Sequence, residues 1–348
     1  MGGAIVTQTR DRCLIWGAGA IGGTLGAFLA RAGHDVTLVD TVPGHVAAIN
    51  RTGLAISGPI AEFSTPLPAF TPDTLRGTWD TIILATKAHH TAAAARALLP
   101  HLSDAGCVVS AQNGLNELVI AEVVGEDRTV GAFVNFGADY LEPGAILYGG
   151  RGTVTVGEAF GPRDSRLSPR ALRLRDMWRD FDERATATAN IFGYLWAKES
   201  YGAMLFATAL TNDSIADSLA EPKYRELYIA LAREVLAVTL AQGIQPESFD
   251  GFDPAAYLPD APAGAASRSL DDLVAHNRKS AKTHSGIWRD LAVRKRPTEV
   301  DAQLGIVVKL GAEAGVPTPL TARVVTLIQE IEQGVRPLAR ENLDALAS

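Results

Sequence analysis

The first part of the chain alternates short apolar runs with an amphipathic stretch. The run "CLIW" at 13–16 is followed by glycine and "DVTLVD" at 35–40 is rich in β-branched residues, so both patterns predict buried strands. Between the two runs, four apolar residues recur at helical spacing, namely Ile21, Leu25, Phe28 and Leu29. Gly33 then follows as a helix stop signal. A strand, a glycine-rich turn, a helix and a second strand within about thirty residues predict a βαβ unit.

Further apolar runs continue this alternation, and they predict strands at 81–86, 106–112, 129–136, 145–149 and 153–159. For the last three runs, an antiparallel arrangement is considered alongside a parallel one. The alanine-rich segment 89–102 predicts an amphipathic helix. The alternation of strands and helices therefore predicts an α/β N-terminal domain of the Rossmann type.

Beyond about residue 165 the pattern is helical in nearly every segment. The exception is 246–269, which is rich in Pro, Gly and Ala and is interpreted as a loop, with a lid over a cleft as the alternative. We therefore predict a dinucleotide-binding domain at 1–189, an all-α C-terminal domain for substrate binding and catalysis at 190–336, and a polar tail at 337–348.

The glycine-rich turn has the spacing G-x-G-x-x-G, with glycines at Gly17, Gly19 and Gly22. The first glycine allows a tight turn, the second lets backbone N–H groups approach a pyrophosphate, and the third lets the helix pack closely on the strand. Because the motif lies between two predicted strands, we predict that it binds a dinucleotide, with Ala20 and Ile21 at the start of the helix. A glycine turn that serves packing alone is the alternative.

Asp40 ends the second predicted strand. An acidic side chain at this point accepts hydrogen bonds from the adenine ribose hydroxyls and repels the 2′-phosphate of NADP, whose sites usually offer an arginine nearby. No arginine follows Asp40 until Arg51. We therefore predict NAD in preference to NADP, and an aspartate that only opens a turn is the alternative.

Composition and charge limit the classes of function. The 348 residues are 47% hydrophobic and 20% charged, which is ordinary for a globular protein. The net charge is −7 and no long Lys/Arg run occurs, which disfavours nucleic-acid binding. The uncharged stretch 13–30 contains five glycines and is too weakly apolar for a membrane span or a signal sequence. Cys13 and Cys107 lie in apolar runs, which predicts buried thiols and a cytoplasmic location.

Lys87 and Asn113 each follow a predicted strand, and ligands of open α/β sheets bind beyond the carboxyl ends of strands. Lys87 is a candidate contact for cofactor or substrate, or else a surface lysine that begins a helix. Asn113, followed by Gly114, either holds a nicotinamide or substrate oxygen or only forms a turn.

Lys198 shares a helical face with three other residues, Tyr194, Tyr201 and Leu205. A lysine on such a face is paired, extends to solvent, or lines a cleft and acts there as an acid or base. Glu299 lies in the first turn of a predicted helix, where Thr298 and Asp301 resemble a capping box. The seven histidines form no zinc spacing, so we predict no metal site. No nucleophile motif occurs, which disfavours a hydrolase.

Together these residues resemble the ketopantoate reductase (2-dehydropantoate 2-reductase) family from about residue 12 to about residue 334. The motifs that carry the resemblance occur in order: Gly17-x-Gly19-x-x-Gly22, "TKA" with Lys87, "QNG" with Asn113, "W-x-K" with Lys198, and "D…R-x-TEVD" with Asp290, Arg296 and Glu299. The resemblance implies hydride transfer between a nicotinamide cofactor and a 2-oxo acid. It implies Lys198 as proton donor and Glu299 as a second catalytic residue that helps to bind substrate. It implies Ser285, which lies within one position of a family serine, as a contact to substrate, and Lys87 and Asn113 as contacts to cofactor and substrate.

Three features depart from the family pattern. The asparagines that family members often have four and eight residues after the lysine are replaced by Gly202 and Phe206. The loss of two amides and the gain of a phenyl ring predict a less polar substrate pocket. Asp40 stands where NADPH-dependent members usually have a basic residue, and the segment before Glu299 is one residue longer. These departures favour, as alternatives, an NAD-dependent dehydrogenase of a different, less polar alcohol or hydroxy acid, or a non-catalytic dinucleotide-binding sensor.

The partner predicted from all these features is a small-molecule substrate, with no nucleic acid and no membrane. The oligomeric state is left open between a monomer and a homodimer.

Overall fold

The computed structural model of the chain describes residues 11–161, 166–279 and 283–347. The described residues divide into two compact units, of which the N-terminal unit lies within Met1–Gln112 and Asn116–Ile191. The helical unit lies within Phe192–Ser348 and also includes Asn113–Leu115. This short turn, which follows a strand of the N-terminal unit in the chain, is thus grouped with the helices.

Buried apolar runs form the strands of the N-terminal unit. In chain order the strands are β1 (Arg12–Trp16), β2 (Asp35–Val39), β3 (Leu54–Ser57), β4 (Phe63–Thr65), β5 (Ala69–Phe70), β6 (Trp79–Leu84), β7 (Leu102–Ser110), β8 (Thr129–Val134), β9 (Gly137–Glu142), β10 (Ala145–Gly150), β11 (Val154–Glu158) and β12 (Thr186–Ala187).

The helices follow the same chain order and continue into the helical unit. They are α1 (Ala20–Arg31), α2 (Pro43–Thr52), α3 (Thr91–Leu98), α4 (Asn116–Val124), α5 (Pro169–Arg179), α6 (Ile191–Thr208), α7 (Ile215–Ala220), α8 (Arg225–Ala241), α9 (Ala265–Lys279), α10 (Gly286–Trp288), α11 (Ile306–Glu313), α12 (Pro319–Glu332) and α13 (Glu341–Ala347).

The main sheet has the strand order β12-β11-β8-β7-β6-β1-β2-β5. Its neighbouring strands are parallel except for the pair β8 and β11, which is antiparallel. The order reverses between β1 and β6, as it does in a doubly wound dinucleotide-binding sheet. The predicted Rossmann-type α/β fold with an all-α C-terminal part is therefore confirmed. The antiparallel arrangement considered for the last three predicted strands occurs between β8 and β11 and between β10 and β9, while β8 is parallel to β7 and β10 is parallel to β3.

A second sheet, not predicted, has the order β4-β3-β10-β9, and helix α1 packs against strands of both sheets. A Cβ atom at Gly26 would lie 2.8 Å from Leu38 in the main sheet, and one at Gly23 would overlap Ile146 in the second sheet. The uncharged stretch 13–30 therefore comprises most of β1, the glycine-rich turn and a helix that is buried on two sides. Among the described residues, no helix is long and apolar enough to cross a membrane.

The two cysteines are buried free thiols, as the apolar runs around them predict. Burial raises the pKa of Cys13 to about 12 and also raises that of Cys107. Thiols that stay protonated in this way are poor nucleophiles, so both residues serve as small core side chains.

In the helical unit, Glu234 on α8 accepts hydrogen bonds from the backbone N–H groups of Leu320 and Thr321 and so caps the start of α12. The predicted loop at 246–269 contains a helical turn at Pro254–Tyr257, before α9 begins at Ala265. Phe252, within this loop, is buried and stacks on Tyr201 of α6, with 5.6 Å between the ring centroids.

Two expectations need correction. The segment 337–348, expected to be a polar tail, contains α13, whose Leu343 and Leu346 are buried. These two apolar residues are spaced for one helical face, so the short helix packs onto the unit. The predicted helix at 89–102 is regular only over Thr91–Leu98, because Pro100 cannot donate a backbone hydrogen bond and a tighter turn, Leu99–His101, follows.

Candidate active site

The glycine-rich turn joins β1 to α1 at the point where the strand order of the main sheet reverses. Gly17 has a φ of +102°, and a Cβ atom there would lie 2.9 Å from the backbone of Ala85 and Thr86, directly after β6. A Cβ atom at Gly22 would overlap the carbonyl oxygen of Gly17. Backbone sterics therefore require glycine at both positions.

Gly19 is the N-cap of α1 and differs from these two glycines. A Cβ atom at Gly19 would meet none of the described atoms within 4 Å, and no side chain of the described residues caps this end of the helix. The backbone N–H groups at Ala20 and Ile21 thus begin α1 beside open space. This arrangement fits the pyrophosphate of a dinucleotide, which binds at exposed helix N-termini of this kind.

Two side chains hold the remaining residue of the turn, Ala18. One carboxylate oxygen of Asp40 accepts a hydrogen bond from the Ala18 N–H at 3.0 Å, and the other accepts one from the Val42 N–H at 2.9 Å. His45 Nδ1 accepts a hydrogen bond from the Gly144 N–H at 2.9 Å, so the ring proton is on Nε2, which donates to the Ala18 carbonyl oxygen at 2.9 Å.

His45 was not among the candidate residues, because no local pattern in the sequence marks it. It is buried on α2, and its two partners are 27 and 99 residues away in the chain. Asp40, by contrast, lies where the sequence places it, at the end of β2. Its carboxylate holds the turn in this structure, and a contact to the ribose stays a prediction.

At the carboxyl ends of β6 and β7, hydrogen bonds link the two segments that carry Lys87 and Asn113. Gln112 Nε2 donates to the Thr86 carbonyl oxygen at 2.9 Å and to Thr91 Oγ1 at 2.8 Å. Lys87 itself is exposed directly after Thr86. From the motif "QNG" we predict a role for Asn113 and not for Gln112. No local pattern indicates that the hydrogen-bond partners of Gln112 lie after a different strand, β6.

Lys198 and Asn113 are the two candidate residues that the structure joins directly. Lys198 Nζ donates a hydrogen bond to Asn113 Oδ1 at 2.7 Å, although the two residues are 85 positions apart. Lys198 is half-buried on α6, and Asn113 is exposed. The structure shows Lys198 as a paired lysine, and its action as an acid or base in a cleft stays a prediction. An ammonium group is a donor that can stabilise a developing oxyanion.

Glu199, the next residue on α6, is only 1% exposed. Its carboxyl group accepts a hydrogen bond from the backbone N–H of Gly114, next to Asn113. Burial raises the pKa of Glu199 to about 8, with the Lys198 charge acting against this rise and the Glu299 charge adding to it. The sequence pattern did not mark Glu199, because nothing in it indicates which side of α6 faces the turn at 113–115.

The other candidate substrate residues lie in the helical unit in different settings. Gly202, one helical turn after Lys198, borders open space, since a Cβ atom there would meet none of the described atoms within 4 Å. Phe206, one further helical turn along α6, is fully buried, and the less polar pocket expected from its ring stays a prediction. Ser285 is buried, and its Oγ accepts a hydrogen bond from the Trp288 N–H at 3.1 Å, which makes it the N-cap of α10.

Glu299 is half-buried and precedes its helical turn instead of lying within it. Its carbonyl oxygen accepts the N–H of Gln303 at 2.9 Å, and Asp301 accepts a hydrogen bond from Gln329 instead of closing the expected capping box. Asp290 and Arg296, the other residues of this motif, form an ion pair at 2.9 Å. The buried Asp290 carboxylate thus fixes the segment that leads to Glu299.

Two protein-family models match this chain. The family model described as "Ketopantoate reductase PanE/ApbA" matches residues 13–161, and the model "Ketopantoate reductase PanE/ApbA C terminal" matches residues 190–332. The chain belongs to the ketopantoate reductase family. Members of this family are oxidoreductases that act on a ketone/hydroxyl pair with a nicotinamide dinucleotide.

Individual relatives match over nearly the whole length. The 2-dehydropantoate 2-reductase of Archaeoglobus fulgidus is 29% identical over 328 residues, which cover 93% of this chain and 99% of the relative. The crystal structure of a ketopantoate reductase from Ralstonia eutropha JMP134 has a TM-score of 0.77 at 24% identity, and covers 93% of this chain and 99% of that one. The ternary structure of D-mandelate dehydrogenase with NADH and anilino(oxo)acetate has a TM-score of 0.80 at 20% identity, with the same coverage. At these identities the two structures establish the fold alone.

Among the described residues, no group of three or more His, Cys, Asp or Glu side chains is arranged to hold a metal ion.

Proposed function

We propose that this protein reduces a 2-oxo acid of the 2-dehydropantoate type, with hydride from a nicotinamide cofactor and with Lys198 as the proton donor. The observation that carries the proposal is the hydrogen bond of 2.7 Å between Lys198 Nζ and Asn113 Oδ1. It joins two motif residues of the family that have no reason to meet if each serves only its own local structure. We assign cofactor binding to the N-terminal unit and catalysis to the helical unit.

In this proposal Lys198 performs the acid–base step. The nicotinamide ring supplies the hydride when the cofactor is bound. As negative charge develops on the ketone oxygen, the Lys198 ammonium stabilises it and then donates its proton to that oxygen. Asn113 Oδ1 orients the ammonium by accepting one of its three N–H bonds. In the reverse direction, neutral Lys198 would accept the proton of the hydroxyl group.

Glu299 and Ser285 are proposed to bind the substrate, and Lys87 to contact cofactor or substrate. The carboxylate of Glu299 suits a substrate hydroxyl group, because an ionised carboxylate only accepts hydrogen bonds. The exposed Lys87 ammonium suits a phosphate or carboxylate at the strand ends.

NADH is the proposed cofactor in preference to NADPH. The Asp40 carboxylate lies against the glycine-rich turn, bonded to the N–H of Ala18, so a negative charge stands beside the proposed dinucleotide site. Such a charge attracts ribose hydroxyl groups as donors and repels a 2′-phosphate.

A second candidate is the NAD-dependent conversion of a bulkier, less polar hydroxy acid or alcohol. The supporting observation is the open space beside Gly202, one helical turn from Lys198, where the family often has an asparagine. A pocket that lacks this amide loses a polar contact and gains room for a larger substituent on the carbonyl carbon.

The test is an absorbance assay of NADH and NADPH oxidation, with 2-dehydropantoate and with a phenyl-substituted 2-oxo acid as substrates. Turnover of 2-dehydropantoate supports the first proposal, and turnover of the aromatic substrate alone supports the second. Tight cofactor binding without oxidation of either cofactor would contradict both, and would favour a dinucleotide sensor. A faster rate with NADPH than with NADH would contradict the role given to Asp40. A cytoplasmic location and the choice between monomer and homodimer stay predictions.

A further inference from the structure

Two consecutive residues of α6 hold two consecutive residues of the turn at 113–115. Lys198 donates to the Asn113 side chain at 2.7 Å, and Glu199 accepts from the Gly114 backbone. Gly114 has a φ of +101°, so its N–H points where few other residue types could place it. The turn that presents Asn113 to Lys198 is therefore fixed from the same helix that carries the lysine.

The surroundings of Glu199 are unusual for a glutamate. Its side chain is buried, and Oε2 has no hydrogen-bond partner within the part of the chain that the structure describes. The charged groups that act on it are Lys198, from its own helix, and Glu299, from the segment before the turn at 301–305. A buried carboxyl group with one acceptor contact and one unsatisfied oxygen is more stable as the neutral acid than as the carboxylate.

We propose that Glu199 is a positioning residue for Lys198, which in its neutral form fixes the turn at Asn113 and in its ionised form keeps Lys198 protonated at alkaline pH. This inference rests on the proposed function for Lys198. It adds a second titrating group that the family motifs do not contain, adjacent to the proton donor.

The sign of the effect follows from the direction of the shift. Burial raises the pKa of Glu199 from an ordinary value of 4.5 to about 8, so the group is neutral at neutral pH and ionises above it. Once ionised, its carboxylate attracts the Lys198 ammonium and delays the loss of that proton. A glutamine at this position keeps the acceptor for the Gly114 N–H but never ionises.

The first experiment needs no activity. We would measure the melting temperatures of wild type and Glu199→Gln between about pH 5 and about pH 8. Because the folded protein binds the Glu199 proton more tightly than the unfolded chain does, wild type loses stability relative to the variant as pH rises through this range. Parallel curves for the two proteins would contradict a neutral buried Glu199, whatever the enzyme turns out to catalyse.

The second experiment compares the pH dependence of kcat/KM for 2-oxo acid reduction. We expect Glu199→Gln to stay within about threefold of wild type near pH 7, and its alkaline decline to move about one pH unit lower. Glu199→Leu leaves the Gly114 N–H without its acceptor and should lose about tenfold in kcat across the pH range. The matched control is Glu234→Gln, which removes a carboxylate that caps α12 and should leave the alkaline decline where wild type has it.

The outcomes separate the two proposals. An alkaline decline of Glu199→Gln that coincides with that of wild type would overturn the coupling to Lys198. If wild type reduces no 2-oxo acid, the proposed function fails, and the melting curves still decide whether Glu199 is held as a neutral acid.

Discussion

Gly22 in α1 and Gly202 in α6 are both glycines inside helices, and a Cβ atom would meet opposite surroundings at the two. At Gly22 it would overlap the Gly17 carbonyl oxygen, whereas at Gly202 it would meet none of the described atoms within 4 Å. The first glycine is required by the backbone that shapes the dinucleotide turn. The second leaves space where the family often has a side chain, so it bears on which substrate fits. Glycine is thus required sterically at position 22, whereas position 202 has space for a larger side chain.

The comparison extends to the regions around the two glycines. The glycine-rich turn is shaped mainly by its own backbone, with Asp40 and His45 holding Ala18 from outside. The region of Lys198 depends on side chains, because the position of the ammonium rests on Asn113 and, through Gly114, on Glu199. The first region is proposed to bind the cofactor and the second to perform the chemistry, so variants in each should change different kinetic constants.

The largest effect is expected for Lys198→Ala, which tests whether the chemistry and the binding of the cofactor depend on different regions. Removal of the proton donor should lower kcat by at least about 100-fold, with the dissociation constant for NADH nearly unchanged. The control is Lys309→Ala on α11, where the lysine is exposed and makes a long ion pair with Glu313 at 3.9 Å. Steady-state rates and NADH fluorescence titration check the two constants. A large rise in the NADH dissociation constant of Lys198→Ala would contradict the separation of cofactor binding from chemistry.

The next largest effect is expected for Gly22→Ala. The added methyl group would overlap the carbonyl oxygen of Gly17 and would also lie within 3.0 Å of the side chains of Ile15 and Ala85. The turn must therefore shift, and affinity for NADH should fall by about 30-fold. Gly44→Ala on α2 is the matched control, because a Cβ atom there meets none of the described atoms within 4 Å. Fluorescence titration of both variants measures the loss. Equal affinities in the two would contradict the steric account of the turn.

A smaller effect is expected for His45→Leu, which tests whether the turn needs support from outside. Loss of the imidazole leaves the Ala18 carbonyl and the Gly144 N–H without their partners, and NADH affinity should fall by about tenfold. His45→Gln offers one donor and one acceptor in their place and should recover part of that affinity. If the glutamine and leucine variants bind NADH equally weakly, the loss of the two hydrogen bonds is not the cause of the lower affinity.

The smallest effect is expected for Gly202→Asn, which restores the residue that the family often has. Because the position is open, the variant should fold with nearly wild-type stability, and its preference for 2-dehydropantoate over an aromatic 2-oxo acid should rise by about threefold. Gly202→Ala fills part of the space without the amide and serves as the control. The measurement is the ratio of kcat/KM for the two substrates. An unchanged ratio in Gly202→Asn would contradict the proposal that Gly202 lines the substrate pocket.

The sequence predicted the features that local patterns encode. The strands β1 and β2, the glycine-rich turn and the end of β6 before Lys87 follow from apolar periodicity and glycine spacing. Of the second sheet, only β10 was predicted, as the strand at 145–149. The strands β3 and β4 are short and β9 is largely exposed, so hydrophobic periodicity is weak in all three. The polar tail was predicted wrongly, because the buried side of α13 carries only a few apolar residues.

In the candidate site, too, the sequence identified the residues that belong to a motif and missed those whose roles depend on the folded chain. Lys198 and Asn113 could be named from family motifs, but their hydrogen bond joins residues 85 positions apart and needs the folded chain. His45 and Glu199 could not be found, because their roles depend on burial and on partners from distant segments.

The most direct test of the central claim, that the Lys198 ammonium is the proton donor, is chemical rescue of Lys198→Ala. Reduction of the 2-oxo acid by NADH would be followed at increasing concentrations of ethylammonium chloride, in this variant and in wild type. The account predicts that the amine restores turnover to the variant in a saturable way and leaves wild type unchanged. Turnover of Lys198→Ala at nearly the wild-type rate without any amine would contradict it.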